Sequence, residues 1–233
     1  MEFMLLFVAP KDAPAGGPEG GPAEMKRFAG ELASQGKLRR GAPLRPDSEA
    51  VHVRTRGGQP LVTDGPFAES REVLGGFWII DVANRDEAIE IARRVPHARR
   101  GRVEVHPLEF RMAAADPGQG TPYLYAFRVD DPIEDCDRAK LREMLDFSVT
   151  LKQEGRFIET APLTAAPLPA RIETQRGKVL VTDGPFAEAK DVVGGYAIVR
   201  ATSRAEAVEI AKRYPHAKWG PVEVREISFF DPT

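Results

Sequence analysis

Four carboxylates are the side chains of this sequence best suited to chemistry, because they recur in one repeated nonapeptide. The stretch LVTDGPFAE occupies residues 61–69 and again residues 180–188 without a change. It supplies Asp64 and Glu69 in the first copy and Asp183 and Glu188 in the second. Near one cleft, these carboxylates could bind a cation or an amine, or act as a general base when partly buried. Their spacing matches no standard Mg²⁺ or Ca²⁺ loop, so no metal site is predicted.

The same nonapeptide also has a purely structural interpretation. Asp followed by Gly-Pro is typical of a turn, and a residue before proline takes an extended conformation. Pro66 and Pro185 would shape the loop, while Phe67 and Phe186 would anchor it in the core. Both interpretations stay open at this point.

Paired glycines follow each nonapeptide and open an apolar strand. Gly75 and Gly76 in the first copy correspond to Gly194 and Gly195 in the second. Glycine at the start of a strand predicts a bulge or a close approach by another chain segment or a ligand.

Two histidines recur at the same spacing. His97 and His216 each follow a proline at the end of a predicted helix, where a role near the helix carbonyls or an exposed position is favoured over a catalytic role. His52 and His106 have no counterpart in the other copy, and we predict that they lie on strand surfaces.

The copies differ most on the strand after the glycine pair. Trp78 is replaced by Ala197, and Phe77 by Tyr196, which is a candidate ligand residue. One hypothesis is that Ala197 opens a pocket on the second side while Trp78 fills the first. Compensating changes in core packing are the alternative.

An internal duplication explains why these residues occur in pairs. Sliding the chain by 119 residues aligns residues 61–108 with 180–227, and 27 of 48 positions are identical. The same offset aligns the opening strands, residues 4–7 with 123–126. We therefore predict two units, residues 1–112 and 123–233, joined by a small, polar linker at 113–122.

The elements of one unit can be predicted from hydrophobic periodicity and punctuation. Residues 1–8 predict a strand and 22–35 a helix that begins at a proline and ends at a glycine. Residues 51–55 and 60–63 predict a hairpin, 77–82 a buried strand, 85–95 a capped helix and 103–110 a last strand. This order predicts a ferredoxin-like α+β unit.

Composition excludes several classes of function. The net charge of −2 provides no basic field for nucleic acid or anionic lipid, and no apolar run approaches the ~20 residues that span a membrane. A single cysteine, Cys136, cannot form an internal disulfide, which favours the cytoplasm.

The run DGPFAE, the downstream glycine pair, the capped helix ending in proline and the following Gly-x-Val-Glu-Val resemble the DGPF branch of the YCII-related family. The resemblance covers both units. It implies that two ferredoxin-like units pair as a dimeric α+β barrel, which here would form within one chain around a pseudo-two-fold axis.

The resemblance also implies where chemistry should lie. YCII-related enzymes use a histidine on the first helix and an aspartate before the proline that follows the second helix. Here the first helices contain no histidine, and Val95 and Tyr214 stand in the place of the aspartate. The dyad of the family's enzymes is absent from both units.

Three functions remain open. The first is a non-enzymatic module that binds a small molecule near the DGPF loops. The second is a regulatory protein in an extracytoplasmic-function sigma-factor pathway, as the resemblance implies for its DGPF branch. The third is an enzyme that uses Asp64 or Asp183 with His97 or His216. Binding or regulation is predicted ahead of catalysis, and no cofactor is predicted.

Overall fold

The computed structural model describes residues 1–12, 20–65, 72–115, 119–129, 138–163, 169–184 and 192–228. Six predicted site residues and the cysteine lie outside these ranges: Pro66, Phe67, Glu69, Pro185, Phe186, Glu188 and Cys136.

The first unit contains two helices and seven strands in the described residues. They are β1 (Glu2–Pro10), α1 (Pro22–Ser34), β2 (Leu38–Pro43), β3 (Val51–Arg56), β4 (Gln59–Asp64), β5 (Glu72–Asp81), α2 (Arg85–Arg94), β6 (Arg102–Pro107) and the short β7 (Met112–Ala113).

The second unit repeats this order, without a counterpart of β7, in the part of the chain that is described. Its elements are β8 (Thr121–Val129), α3 (Arg138–Gln153), β9 (Phe157–Pro162), β10 (Ala170–Gln175), β11 (Lys178–Asp183), β12 (Val192–Ala201), α4 (Arg204–Arg213) and β13 (Val222–Glu226).

Each unit has a ferredoxin-like core. In the first unit the strands lie in the order β6-β1-β5-β2, and in the second in the order β13-β8-β12-β9, all antiparallel to their neighbours. The predicted fold class is therefore confirmed. The strands β2 and β9 were not predicted, because their residues LRRGAP and FIETAP mix charged, small and apolar side chains without a clear alternation.

The two units exchange hairpins. The β3–β4 hairpin of the first unit pairs with β13 of the second, and the β10–β11 hairpin of the second unit pairs with β6 of the first. Within the described residues this gives one sheet of six strands and one of seven. The hairpins were predicted, but their exchange was not.

Three apolar layers hold the barrel together. Side chains alternate along β1, so that Phe3, Leu5 and Phe7 pack with α1 and α2, while Met4 and Leu6 face the other sheet. A third layer packs α3 and α4 on the second sheet. The middle layer joins residues of both units into one core, so the two halves form a single α+β barrel.

The opening strands match with an offset of 120 residues, and the predicted offset of 119 is wrong there. Phe7 lies opposite Gly76, and Phe127 lies opposite Gly195. A shift of one residue moves every side chain of a strand to the other face. Phe127, which packs on the helices, is therefore the counterpart of Phe7.

The second helix of each unit is capped as predicted. The Asn84 side chain accepts a hydrogen bond from the Glu87 backbone N–H at 2.9 Å, and the Glu87 carboxylate accepts one from Ala83 N–H at 2.8 Å. Ser203 and Glu206 repeat the arrangement in α4. Each cap satisfies donors that the first helical turn leaves without a partner.

A buried ion pair joins the two units. Arg40 Nε lies 3.1 Å from Oε2 of Glu159, whose side chain is fully buried. These residues are 119 positions apart, so they are counterparts that meet each other across the pseudo-two-fold axis. Arg111 Nη1 and the Tyr196 hydroxyl also contact Glu159, at 3.2 and 3.0 Å.

We expect Glu159→Ala to lower the free energy of unfolding by about 3–5 kcal/mol, because Arg40 and Arg111 would lose a buried carboxylate. Urea denaturation at pH 7 measures this. Glu209→Ala serves as the control, since Glu209 is exposed and its ion pair within the described residues is with Lys212 on the same helix; it should cost less than about 1 kcal/mol. Equal losses in the two variants would contradict the role of the buried pair.

Candidate functional site

The aspartates of the two nonapeptides lie on the surface, at the ends of the exchanged hairpins. Asp64 ends β4 with 76% of its side chain exposed, and Asp183 ends β11 with 66% exposed. Asp64 Oδ1 accepts a hydrogen bond from Arg204 Nη2 at 2.6 Å, and Asp183 pairs with Arg85. Each arginine is the first residue of a helix in the opposite unit.

The two aspartates therefore hold the exchanged hairpins against the opposite unit, and they sit at the edges of different sheets. No group of three or more His, Cys, Asp or Glu side chains in the described ranges could hold a metal ion. Whether Glu69 and Glu188 add to these carboxylates stays a prediction, because both lie outside those ranges.

The glycine pairs shape the strands as predicted. The pairing of β1 with β5 and of β8 with β12 shifts at Gly75 and Gly194, which is the signature of a bulge. A side chain on Gly76 would place Cβ 2.7 Å from the carbonyl oxygen of Ala42. Close backbone approach therefore requires glycine there. On the second side, Gly194 and Gly195 also line a pocket.

His97 and His216 are not exposed, which corrects one of the predicted roles. His97 Nε2 lies 3.0 Å from the Val8 carbonyl oxygen, and His216 Nε2 lies 2.9 Å from that of Arg128. To bond a carbonyl, each Nε2 must donate a proton. Burial lowers the pKa of His97, against the effect of this hydrogen bond. Both imidazoles thus tie the segment after the second helix to the end of the first strand.

Aromatic volume is redistributed between the units. The Trp78 ring packs edge-on against Phe7 at 4.9 Å and lies over Gly41, where a Cβ would come within 2.3 Å of the indole. In the second unit, Ala197 replaces Trp78 and Thr160 replaces Gly41. Tyr214 then fills the helix-facing core, with its ring 5.0 Å from that of Phe127 and 4.7 Å from that of Phe147. Compensating repacking is therefore observed.

A pocket nevertheless opens in the second unit. Its cavity volume is about 110 Å³, and it lies between α3, the segment after α4 and the ends of β8, β9 and β12. Its apolar walls include Phe127, Met144 and Trp219. Thr160 and Phe127, which also line it, are the counterparts of Gly41 and Phe7, two residues that contact Trp78 in the first unit.

The polar groups of this pocket are few and mostly engaged within the protein. Thr160 Oγ1 donates to the Tyr196 carbonyl at 2.7 Å, and Arg128 Nε donates to Glu223 at 2.9 Å. His216 bonds the strand carbonyl already described. Lys140 Nζ lies 5.6 Å from the centre of the Trp219 ring, near enough for a cation–π contact. The pocket therefore offers apolar contacts and a cation on one wall.

Tyr196, a predicted ligand residue, lies between the two sheets instead. It is fully buried, and its hydroxyl donates to Glu159. Burial and the neighbouring Glu159 charge raise the pKa of Tyr196 well above its ordinary value. Burial also raises the pKa of Glu159, because it outweighs the attraction of Arg40 and Arg111.

Two buried carboxylate clusters were missed by the sequence analysis. Glu104 on β6 contacts Arg102, Arg171 and His106 at 2.9, 3.1 and 3.2 Å. Its counterpart Glu223 on β13 contacts Arg128 Nη2 at 2.5 Å. Burial acts to raise the pKa of both carboxyls, but the surrounding cations lower it, to about 2 for Glu223.

A histidine and an arginine occupy each other's positions when the two clusters are compared. Glu223 also contacts Arg225 Nη1, at 3.0 Å, and lies directly opposite His52 in the strand pairing. Arg225 is the counterpart of His106, and His52 is the counterpart of Arg171. Each glutamate thus meets one histidine and two arginines. The histidine lies on the glutamate's own strand in one cluster and on the neighbouring hairpin strand in the other. In the sequence, VEVHP and VEVRE alternate valine with ionisable side chains. This alternation is the pattern that could have indicated a buried polar cluster.

His52 and His106 are therefore buried, with 7% and 1% exposure, and their predicted surface positions are wrong. The exchanged hairpin carries His52 into the barrel interior, and β6 turns His106 inward beside Glu104. No periodicity within one unit could show that these faces are covered by the other unit.

These exchanged, apposed ferredoxin-like units define a dimeric α+β barrel made from one chain. The chain belongs to the YCII-related family, because the model of the YCII-related domain matches residues 1–110 and again residues 124–231. None of the described helices combines the length and apolar composition that crossing a membrane requires.

Individual relatives add little about function. The uncharacterized protein R00369 of Rhizobium meliloti (strain 1021) is 45% identical over 75 residues, which are 31% of this chain and 60% of that protein. The match therefore spans less than two thirds of that relative. A heme-binding protein from Thermus thermophilus is similar over 97% of this chain and 90% of its own, at 11% identity and a TM-score of 0.39. So distant a likeness carries no argument.

The buried histidine predicts a pH dependence of stability. Burial lowers the pKa of His52 to about 4, although the Glu223 charge acts to raise it. In the unfolded chain the pKa is ~6.5, so the unfolded state takes up this proton first as the pH falls. We expect the free energy of unfolding to fall between pH 6.5 and 4, and to fall less in His52→Gln.

Urea denaturation at several pH values in this window measures both slopes. His97, whose pKa burial also lowers, should account for part of the slope that remains in the variant. Glu223 also contributes to the free energy of unfolding, but this contribution is lost at lower pH, from ~4.5 down to the folded pKa of Glu223. The effects of Glu223 and His52 therefore fall in different pH ranges. An unchanged slope in His52→Gln would contradict the assignment.

Proposed function

We propose that this protein binds a small organic molecule in the pocket of its second unit, with the first unit serving as its structural counterpart. One observation carries the proposal: a mainly apolar pocket opens between α3 and Trp219, where the matching part of the first unit is packed by Trp78. Ligand sites in proteins are typically concave, apolar and supplied with a few polar groups.

The lining indicates the chemistry of the ligand. Phe127, Met144 and Trp219 favour a flat or flexible apolar body, and Met adapts readily to irregular shapes. Lys140 places positive charge beside this body, while Arg128 is paired with Glu223 and the hydrogen-bonding groups of Thr160 and His216 bond strand carbonyls. A small, mainly apolar anion satisfies both features.

Binding is preferred to catalysis because the dyad of the family's enzymes is absent. The described part of α3 contains no histidine, and Tyr214 fills the core at the position of the aspartate. A role in an extracytoplasmic-function sigma-factor pathway stays a prediction of the resemblance. We expect the protein to act in the cytoplasm, as its single cysteine indicates.

The two tryptophans of the chain provide a direct test, because one lies at the pocket and the other in the first unit. Trp78→Phe leaves only Trp219 as a reporter, and Trp219→Phe leaves only Trp78. We expect 1-anilinonaphthalene-8-sulfonate, an aromatic anion, to quench Trp219 in a saturable way and Trp78 little. Fluorescence titration measures both, and equal quenching would contradict a site in the second unit.

A charge variant tests the preference for an anion. Lys140→Glu should weaken binding of the same probe ~10-fold, because it replaces an attraction at the pocket wall with a repulsion. Lys152→Glu is the matched control: it makes the same change of net charge on the same helix, at an exposed residue outside the pocket lining. Similar affinities for the two variants would mean that Lys140 does not face the probe.

A further inference from the structure

Two exposed edge strands carry most of the large exposed hydrophobic side chains. Of eight such residues in the described ranges, five lie on β4 or β11: Leu61, Val62, Val179, Leu180 and Val181. Within the described part of the chain, β4 ends one sheet and β11 ends the other, so each strand has one side without a neighbouring strand there. An exposed apolar edge is a template for pairing with another strand.

The turn geometry of the β10–β11 hairpin shows which backbone groups face outward. Gln175 pairs with Lys178 across the two-residue turn Arg176-Gly177, and both turn residues have positive φ, 51° and 76°. In such a hairpin the closing pair is hydrogen-bonded. The N–H and C=O groups of Val179 and Val181 therefore point to the open edge.

The corresponding edge of β4 is blocked. Gln59 and Arg56 close the first hairpin, so Pro60 stands where Val179 stands in β11. Proline has no N–H to donate, and it is a recurrent means of protecting an edge strand. The same four residues, Leu-Val-Thr-Asp, thus end a protected strand in one unit and an open strand in the other.

The hairpin tip differs in a second way. Among the described residues, Arg176 is the single non-glycine residue with positive φ, and its counterpart is Gly57. An L residue in this conformation costs roughly 1–2 kcal/mol. Arg176 adopts this strained conformation although glycine occupies the matching position of the other unit. This indicates that the charge of Arg176 has a function.

We propose that β11 is a self-pairing edge that joins two copies of this chain into a dimer. In an antiparallel pairing about a two-fold axis, Leu180 meets Leu180 of the second copy, and Val179 meets Val181. This register aligns the outward-facing groups of Val179 and Val181, which makes four backbone hydrogen bonds. It also places Asp183 opposite Gly177 of the second copy, beside the opposite charge of Arg176.

The geometry also explains why association stops at two copies. A pairing of β11 with itself is closed, because the same surface is used on both sides. The other edge strand with exposed apolar side chains on which a chain of copies could grow is β4, and there Pro60 removes one of the outward donors. A single pair of strands buries a small area, so the dimer should be weak and reversible.

Sedimentation equilibrium of the full chain tests this proposal. We expect the mass to rise from 25.6 kDa toward twice that value as the concentration increases. Val179→Pro should weaken the dimer at least ~10-fold. Each copy of the dimer would lose one N–H donor, so two of the four hydrogen bonds would be removed. The fold should tolerate it, since Pro60 occupies the same position in β4; circular dichroism and urea denaturation check this.

Two further variants distinguish this edge from others. Arg176→Gly should weaken the dimer several-fold without destabilising the monomer, because Gly57 serves in the matching turn. Pro60→Val, the reciprocal variant, should leave the β11 dimer intact and allow association beyond two copies, because it restores the donor that Pro60 removes from β4. A wild-type protein that stays at 25.6 kDa at all concentrations would overturn the proposal. So would a dimer that Val179→Pro leaves unchanged.

Discussion

The structure depends on the reciprocal exchange of two hairpins between the units. β3 and β4 complete the sheet of the second unit, and β10 and β11 complete the sheet of the first. The exchange joins the units by backbone hydrogen bonds in addition to side-chain packing. It also determines which residues are interior, because a strand of one unit covers part of the other. The apolar middle layer, the buried charges and the exposed edges all follow from it.

The buried charges show how duplicated sequences can diverge under a symmetric constraint. In a symmetric dimer, a residue on the axis meets its own copy. Arg at both positions or Glu at both would bury like charges, whereas one of each makes the ion pair of Arg40 and Glu159. The clusters around Glu104 and Glu223 diverged differently. There a histidine and an arginine changed places, while the balance of charge around each glutamate was kept.

The two units differ in where their large aromatic side chains lie, and the proposed function rests on this difference. Trp78 and Val95 fill the helix-facing core of the first unit, whereas Ala197 and Tyr214 share the same task in the second. The total aromatic volume is similar, but its position differs. A pocket therefore opens beside α3 in the second unit, where the large ring is anchored at Tyr214. A duplicated chain can keep one half as packing support and let the other half acquire a pocket.

The sequence alone determined the elements and their repetition. The hydrophobic periodicity, the caps at Asn84 and Ser203, and the hairpin turns are local signals, and local signals identify local structure. The ferredoxin-like units and their pairing were predicted from these elements and the family resemblance. The bulge at the glycine pairs was also predicted correctly, because a bulge depends on the conformational freedom of the residue itself.

Only the tertiary structure decided which faces are covered. His52 was predicted to lie on a strand surface because it has no counterpart in the other copy, and the exchange buries it against Glu223. Asp64 and Asp183 were candidates for a cleft or for a structural turn, and they lie on the surface with arginines of the opposite unit. Burial and pairing depend on residues distant in the chain. Periodicity within one unit contains no record of them.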